Sequence, residues 1–397
     1  ELLLLADSAA APPAAEAAPY ATLQEAATES GLSVSHLQLA LRLLAEAKDW
    51  KGSPWQAYLK SLPERAAAPA LWSAQQVSEL QHPPLRQRVQ DDKAKRVAFF
   101  DAHLKGSDAL GGPVELDEFL TALAAVEARA IELVPGRLAM VPMIDLVGPP
   151  EGQEAGSGAV REATCRLELE GEGAEAIPVL YAARGLQPGE MLTRNVREGA
   201  SLEDFFLQHG LSTTGSPDES VDLRVPLEEG AANDWQLAAI RRFTQVGPGK
   251  LQGDYFFPGQ VRRCDGIDGA ISPSILTVAR VLTCTSEEEI EVLVGEASDV
   301  SAAAGDSLGL AGLYGQKRAT CIAKLIKLVG ACRGEFATTV DEDVKLLQTL
   351  MGNSRVAAAM RIEKKLVLEE VLALLESAKE EPEESSGALP FAVTGMR

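Results

Sequence analysis

A chain of 397 residues that is 46% hydrophobic and 24% charged holds enough apolar material for two domains with their own cores, which excludes a disordered polypeptide. Its formal net charge is −21, and its basic residues are scattered in pairs such as Arg241-Arg242, Arg262-Arg263 and Lys364-Lys365, which excludes a continuous phosphate-neutralising track and with it direct nucleic-acid binding. Five widely spaced cysteines and four dispersed histidines predict a reducing compartment and no metal cluster, and no apolar stretch reaches the ~20 residues of a transmembrane helix.

The chain opens at Glu1 and enters Leu2-Leu3-Leu4-Leu5 directly. Residues 1–5 read as the end of a buried strand whose natural start is expected upstream, and residues 6–20 as an Ala/Pro-rich connection. Ser33 can cap a helix with Leu37, Leu41 and Leu44 on one face, and Pro63 should end the helix that follows Ser53. Helical periodicity continues through Val77, Leu80 and Leu85, and again from Leu116 to Leu133.

The period then falls from 3.6 to 2. Strands are predicted over Leu138 to Leu146, Thr164 to Leu169, Ile177 to Ala183 and Met191 to Arg194. Ser201 to Gly210 reads as a capped helix stopped by glycine. Beyond a strand-like Val221 to Val225, helices are predicted over Trp235–Phe243, Ser272–Cys284, Lys317–Val329, Asp341–Met351 and Ala357–Ser377, followed by an acidic tail.

Three segments carry a resemblance. They are Ser53-x-Trp55-x-x-Tyr58-Leu59-x-x-Leu62-Pro63 with Leu71-Trp72 and Glu79-Leu80; Arg129 with Val141-Pro142-Met143-Ile144-Asp145-Leu146; and Phe336-x-Thr338-Thr339-x-x-x-Asp343-x-x-Leu346-Leu347 with Arg355, Arg361, Glu363-Lys364 and Leu368. In this order and spacing the chain resembles the SET-domain proteins of the Rubisco large-subunit methyltransferase type. The resemblance implies an α+β fold: a SET-like β fold over residues 1–205 with a helical insertion at about 20–130, then a mostly α-helical substrate-binding-like domain over 215–378, and a tail at 379–397. Fold alone does not license function.

In that family, transfer from S-adenosylmethionine to a lysine amine relies on a Gly-rich N-terminal turn, an Asn-His pair after the Pro-x-x-Asp segment, and a Tyr-Gly pair. Here Gly148 and Pro149 stand at the Asn-His positions, removing two side-chain hydrogen-bonding groups and one backbone donor. The tyrosine position aligns near Arg197, and no tyrosine occurs between Tyr181 and Tyr255. Arg129 matches the family's Ser-Arg motif near the cofactor carboxylate, with Ala128 for the serine; it is equally readable as a structural ion-pair residue.

Other motifs carry less. Gly171 to Ala176 matches a Gly-x-Gly-x-x-Ala string but joins two strands, so it reads as a hairpin turn; Gly309, Gly312 and Gly315 lack the Lys-Ser/Thr step of a phosphate loop. The losses at 148, 149 and 197 lead to the expectation of a non-enzyme with no cofactor, and the dispersed histidines and cysteines to that of no metal: a scaffold or interaction subunit, which the resemblance and the Ala/Gly/Pro-heavy composition place in a larger chloroplast protein assembly such as an import or transcription complex. The alternative is an active S-adenosylmethionine-dependent protein-lysine N-methyltransferase with a rewired or incompletely supplied site.

Overall fold

The computed structural model describes residues 4–6, 23–49, 51–62, 67–134, 137–150, 162–171, 176–196, 201–212, 219–227, 232–244, 249–251, 254–264, 266–292 and 315–380. It divides into two compact units, Glu1–Glu219 with Glu335–Lys364, and Ser220–Gly334 with Lys365–Arg397. The fold is α+β, as the sequence predicts. The units do not follow the ranges 1–205 and 215–378, because residues 335–364 group with the first.

In the first unit, β1 (Leu4–Ala6), β2 (Ile131–Val134) and β3 (Arg137–Met140) form an antiparallel sheet in the order β1-β3-β2, with Leu5 and Ile131 both opposite Ala139. Between β1 and β2 lie α1 (Leu23–Ser30), α2 (Val34–Lys48), α3 (Gln56–Ser61), α4 (Ala74–Ser78), α5 (Pro83–His103) and α6 (Leu116–Arg129). Ser33 caps α2 as predicted, its hydroxyl accepting from the His36 amide. The Leu37, Leu41 and Leu44 face packs in one core with Phe99, Phe119 and Leu123. Helix α6 stops at Arg129, four residues short of its predicted end, since Ile131 and Leu133 are buried as strand residues on β2.

The strand predicted over 138–146 also ends early. Beyond Met140, Pro142 has no amide to donate and Met143 takes a left-handed φ of 73°, turning the chain into a 3-10 turn at Ile144–Leu146. The hairpin β4 (Cys165–Glu170) and β5 (Ile177–Ala182) pairs Cys165 with Ala182 and Glu170 with Ile177; residues 172–175 of the Gly171–Ala176 string lie outside the described residues. Residues 191–194 contribute a single bridge, Arg194 to Cys165.

Helix α7 (Leu202–His209) has the predicted caps, Ser201 accepting from the Asp204 amide and Gly210 at φ 63°. A side chain at 210 would be strained by that φ and would meet the Ala67 carbonyl. Phe205 and Phe206 of α7 pack with Trp72, Leu80, Val89, Ala357 and Met360. That cluster is one reason residues 335–364 belong here. A buried ion pair is another: Arg361 contacts Asp343 at 2.7 and 3.1 Å and donates to the Glu79 carbonyl, while the Ala337 amide donates to Gln81.

The second unit holds an antiparallel sheet, β6 (Ser220–Leu227), β7 (Gly249–Leu251) and β8 (Asp254–Arg262), in the order β6-β8-β7. It also holds α8 (Asp234–Thr244), α9 (Ile267–Ala270), α10 (Pro273–Thr283), α11 (residues 287–292), α12 (Gly315–Gly334) and the part from Lys365 on of the last helix, α14 (Gly352–Glu380). The remaining helices are α13 (Val340–Leu347) and the first residues of α14 (Gly352–Glu380), which belong to the first unit. The sequence reads this region as mostly helical with a strand-like Val221 to Val225; that strand is part of β6, and β7 and β8 add to it. Strand β8 escaped notice because it contains Pro258-Gly259. Pro258 is tolerated because β7 pairs only with residues 254–256 of β8, and Gly259 is required because a side chain there would run into Ile275 of α10.

Candidate active site

Three of the marked positions, Arg129, Gly148 and Pro149, lie on or beside the turn after β3. Its backbone is fixed by the Asp145 amide donating to Val141 (3.1 Å), Leu146 to Met143 (3.3 Å) and Val147 to Ile144 (3.1 Å). This directs Asp145 inward, where its side chain is fully buried. The Tyr58 hydroxyl, presented by α3, donates to Asp145 Oδ2 at 2.6 Å. Arg129, on the last turn of α6, reaches the Asp145 carbonyl at 3.4 Å and Oδ2 at 3.5 Å, with its own side chain 20% exposed. Asp145 Oδ1 is buried without a hydrogen-bond partner.

Arg194 closes the opposite side. Its amide donates to the Gly148 carbonyl at 2.9 Å and its Nε to the Val147 carbonyl at 2.9 Å. Burial lowers the Arg194 pKa, an effect that the nearby Asp145 charge opposes. His209, at the end of α7, is held down to about 4, first by burial and then by the Arg194 charge, although a hydrogen bond to the Ala128 backbone works the other way. It is a neutral imidazole at pH 7. Gln208 beside it donates to the Glu127 carbonyl, so the ends of α6 and α7 are tied together.

Burial pushes the Tyr58 phenol upward, and its bond to Asp145 adds to that, so it stays protonated and donating. Gly148 lines this turn through its backbone, and a side chain added there would meet nothing within 4 Å. Of the positions marked in the sequence, Arg129, Gly148 and Pro149 lie on or beside this turn; Arg197 lies outside the described residues. The sequence reading missed Arg194 and His209 and gave the Tyr58 hydroxyl no role. The Tyr58-x-x-x-Leu62 segment was the available signal, but it carries no indication that its hydroxyl meets Asp145. Among the described residues no group of three or more His, Cys, Asp or Glu stands close enough to hold a metal ion, and no helix is long and apolar enough to cross a membrane.

No protein-family model and no curated protein matches the sequence. Solved structures do match. The chain resembles the SET domain of LSMT bound to methyllysine and AdoHcy, with a TM-score of 0.61 and 17% identity over 95% of this chain and 80% of that one. It resembles Rubisco LSMT bound to sinefungin and monomethyllysine with a TM-score of 0.64, again at 17% identity and over the same shares. Rubisco LSMT bound to AdoMet matches with a TM-score of 0.60 and 17% identity, over 91% of this chain and 79% of that one. At this identity the likeness establishes a SET-like fold. The expectation of a non-enzyme finds no support in these matches: the solved structures that share this fold hold AdoMet-type ligands, several together with lysine or a methylated lysine. Hydrogen-bonding side chains are missing at 148 and 149, while the turn carries a buried carboxylate bonded to a phenol.

Proposed function

We propose that this chain is an S-adenosylmethionine-dependent protein-lysine N-methyltransferase whose pocket is built around the 143–149 turn by Tyr58, Arg129 and Asp145 instead of by side chains at 148 and 149. The observation that carries the reading is the orphaned, buried Asp145 Oδ1 beside a partly exposed Arg129 guanidinium, in a chain superposable on SET domains over 95% of its length.

That donor set fits the amino-acid end of the cofactor. A guanidinium complements a carboxylate and an unpaired carboxylate oxygen complements an ammonium, so Arg129 and Asp145 are the residues that would hold it. S-adenosylmethionine, when bound, supplies an electrophilic methyl group. The chain's own contribution is orientation and exclusion of water. Tyr58 fixes the Asp145 carboxylate through Oδ2, and the bonds from Arg194 fix the Val147-Gly148 backbone, so the turn needs no rearrangement to act. The acidic composition, −21 overall, favours a basic protein as substrate. A plastid location is part of the same proposal and rests on the Ala/Gly/Pro-heavy composition.

Calorimetric titration of the full chain with S-adenosylmethionine, paired with tritiated methyl transfer to a lysine-rich protein, tests this. Micromolar binding, weakened at least about tenfold by Arg129→Ala, together with ε-N-methyllysine in the product, is expected. Absence of both binding and transfer at millimolar cofactor overturns the proposal.

A further inference from the structure

The β4–β5 hairpin has one face turned toward the core and one turned away from it. Leu167 packs against Ile131, Leu133, Ala139 and Val141, and the register sets Leu180 opposite Leu167 on that same face. Strand alternation therefore puts Arg166, Glu168 and Glu170 of β4 on the outer face, directly opposed there by Tyr181, Val179 and Ile177 of β5. Two contacts agree with this placement. The Arg166 guanidinium lies over the Tyr181 ring at 5.7 Å, and the Tyr181 hydroxyl donates to Glu170.

An outer strand face ordinarily carries polar side chains. On β4 it does, whereas β5 presents a row of one aromatic and two β-branched residues, ending in Ile177 at 59% exposure. A single exposed apolar residue needs no explanation, but a contiguous row beside charges has the make-up of an interaction surface. The charges are unevenly balanced along it. Glu168 is paired with Arg166 at 2.5 Å. Glu170, opposite Ile177, is met by a neutral phenol, which satisfies an oxygen without cancelling a carboxylate's charge. The face therefore complements a partner that sets a cation beside an apolar side chain at the Glu170 and Ile177 end.

We propose that this face docks a basic amphipathic helix, its apolar stripe on the Ile177, Val179 and Tyr181 row and a flanking line of lysine or arginine toward Glu168 and Glu170; resting on the methyltransferase reading above, that helix belongs to the protein substrate. The spacing fits. Alternate residues of a strand recur every ~6.7 Å, and positions i and i+4 of a helix every ~6 Å, so one stripe can follow the other over two or three contacts. The hairpin is also fixed to the candidate site. The Cys165 amide at its start donates to the Thr193 carbonyl at 2.8 Å, and the Arg194 amide donates to the Gly148 carbonyl at 2.9 Å. Glu170 lies about 17 Å farther along β4. A substrate docked there needs about five or more extended residues between the helix and the acceptor lysine.

The test titrates the full chain, without cofactor, with a synthetic lysine-leucine peptide of about four helical turns in amphipathic order, and with a scrambled peptide of the same composition. Micromolar binding at least about tenfold tighter for the amphipathic order is expected, weakened about three- to tenfold by Ile177→Ser and by Glu170→Gln. Met351→Ser, at an exposed apolar residue outside the hairpin, should leave it unchanged. Should Ile177→Ser disturb the fold, seen as a lowered thermal midpoint, Val179→Thr keeps the branched shape and carries the same comparison. Equal affinity for the scrambled peptide, or binding indifferent to the hairpin substitutions, overturns the proposal. So does self-association of the chain that Ile177→Ser abolishes, which would give the face to a second copy. Docking is read without cofactor and methyl transfer is read separately with free lysine as acceptor, so failure of one is distinguishable from failure of the other.

Discussion

Tyr58 and Asp145 are 87 positions apart, and the phenol of the first donates a 2.6 Å hydrogen bond to the buried carboxylate of the second. Asp145 already has one oxygen without a partner, so Tyr58→Phe removes its shortest stabilising contact. The variant should lose about 2 kcal/mol in urea denaturation, the cost of an unsatisfied buried charged acceptor. Methyl transfer should fall more than overall stability, because the carboxylate is no longer held in place; equal losses in both would assign Tyr58 a structural role only.

His209 gives a pH signature. Its folded pKa of about 4 lies below the ordinary 6.5, so between those values the unfolded chain binds the extra proton. Stability therefore falls as pH drops from about 6.5 toward 4. His209→Gln keeps a side-chain N–H for the Ala128 carbonyl and cannot titrate. It should remove about 2 kcal/mol of the acid destabilisation after allowance for partial exposure, read as a smaller drop in denaturation midpoint between pH 7 and pH 4.5 than the unaltered chain shows.

Gly148→Asn should be tolerated, since a side chain there enters open space. Its thermal midpoint should stay within about 2 °C of the parent. One added hydrogen-bonding group beside Asp145 should tighten S-adenosylmethionine binding by about two- to tenfold. Unchanged or weaker affinity by calorimetry would show that the cofactor does not lie against this turn.

Lys364 is fully buried, its ammonium 2.7 Å from Glu203 and 3.0 Å from Glu219. Burial by itself would raise the Glu203 carboxyl, but the charge of Lys364, aided by His82 and Arg88, holds it below its usual value. Lys364→Met leaves two carboxylates without their shared cation and should cost about 3–5 kcal/mol at pH 7. The deficit should shrink as pH falls to 4 and the carboxyls accept protons. A deficit that is the same at both pH values would mean that lost packing, and not unpaired charge, is responsible.

The sequence by itself determined the elements whose signals are local. The leucine spacing of α2 with its Ser33 cap, the Ser201-to-Gly210 limits of α7 and the alternation of β4 and β5 each follow from backbone geometry acting over a few residues. The order of the Trp55, Val141 and Phe336 segments was enough to indicate a SET-like fold that 17% identity hides from direct sequence matching. What stayed hidden depends on partners distant in the chain. The end of α6 at Arg129 is set by Ile131 joining β3, and Pro258-Gly259 can sit in β8 only because β7 stops short and α10 presses against it. Residues 335–364 join the first unit through Arg361, Asp343 and the Glu79 backbone. The same holds for the candidate site: residue identities at 148, 149 and 197 record which side chains are missing, but only tertiary packing brings Tyr58, Arg129 and Arg194 to Asp145 and His209 to Arg194. Hydrogen bonds and charge interactions are decided by distances of a few ångströms in space, and those distances are a property of the folded chain.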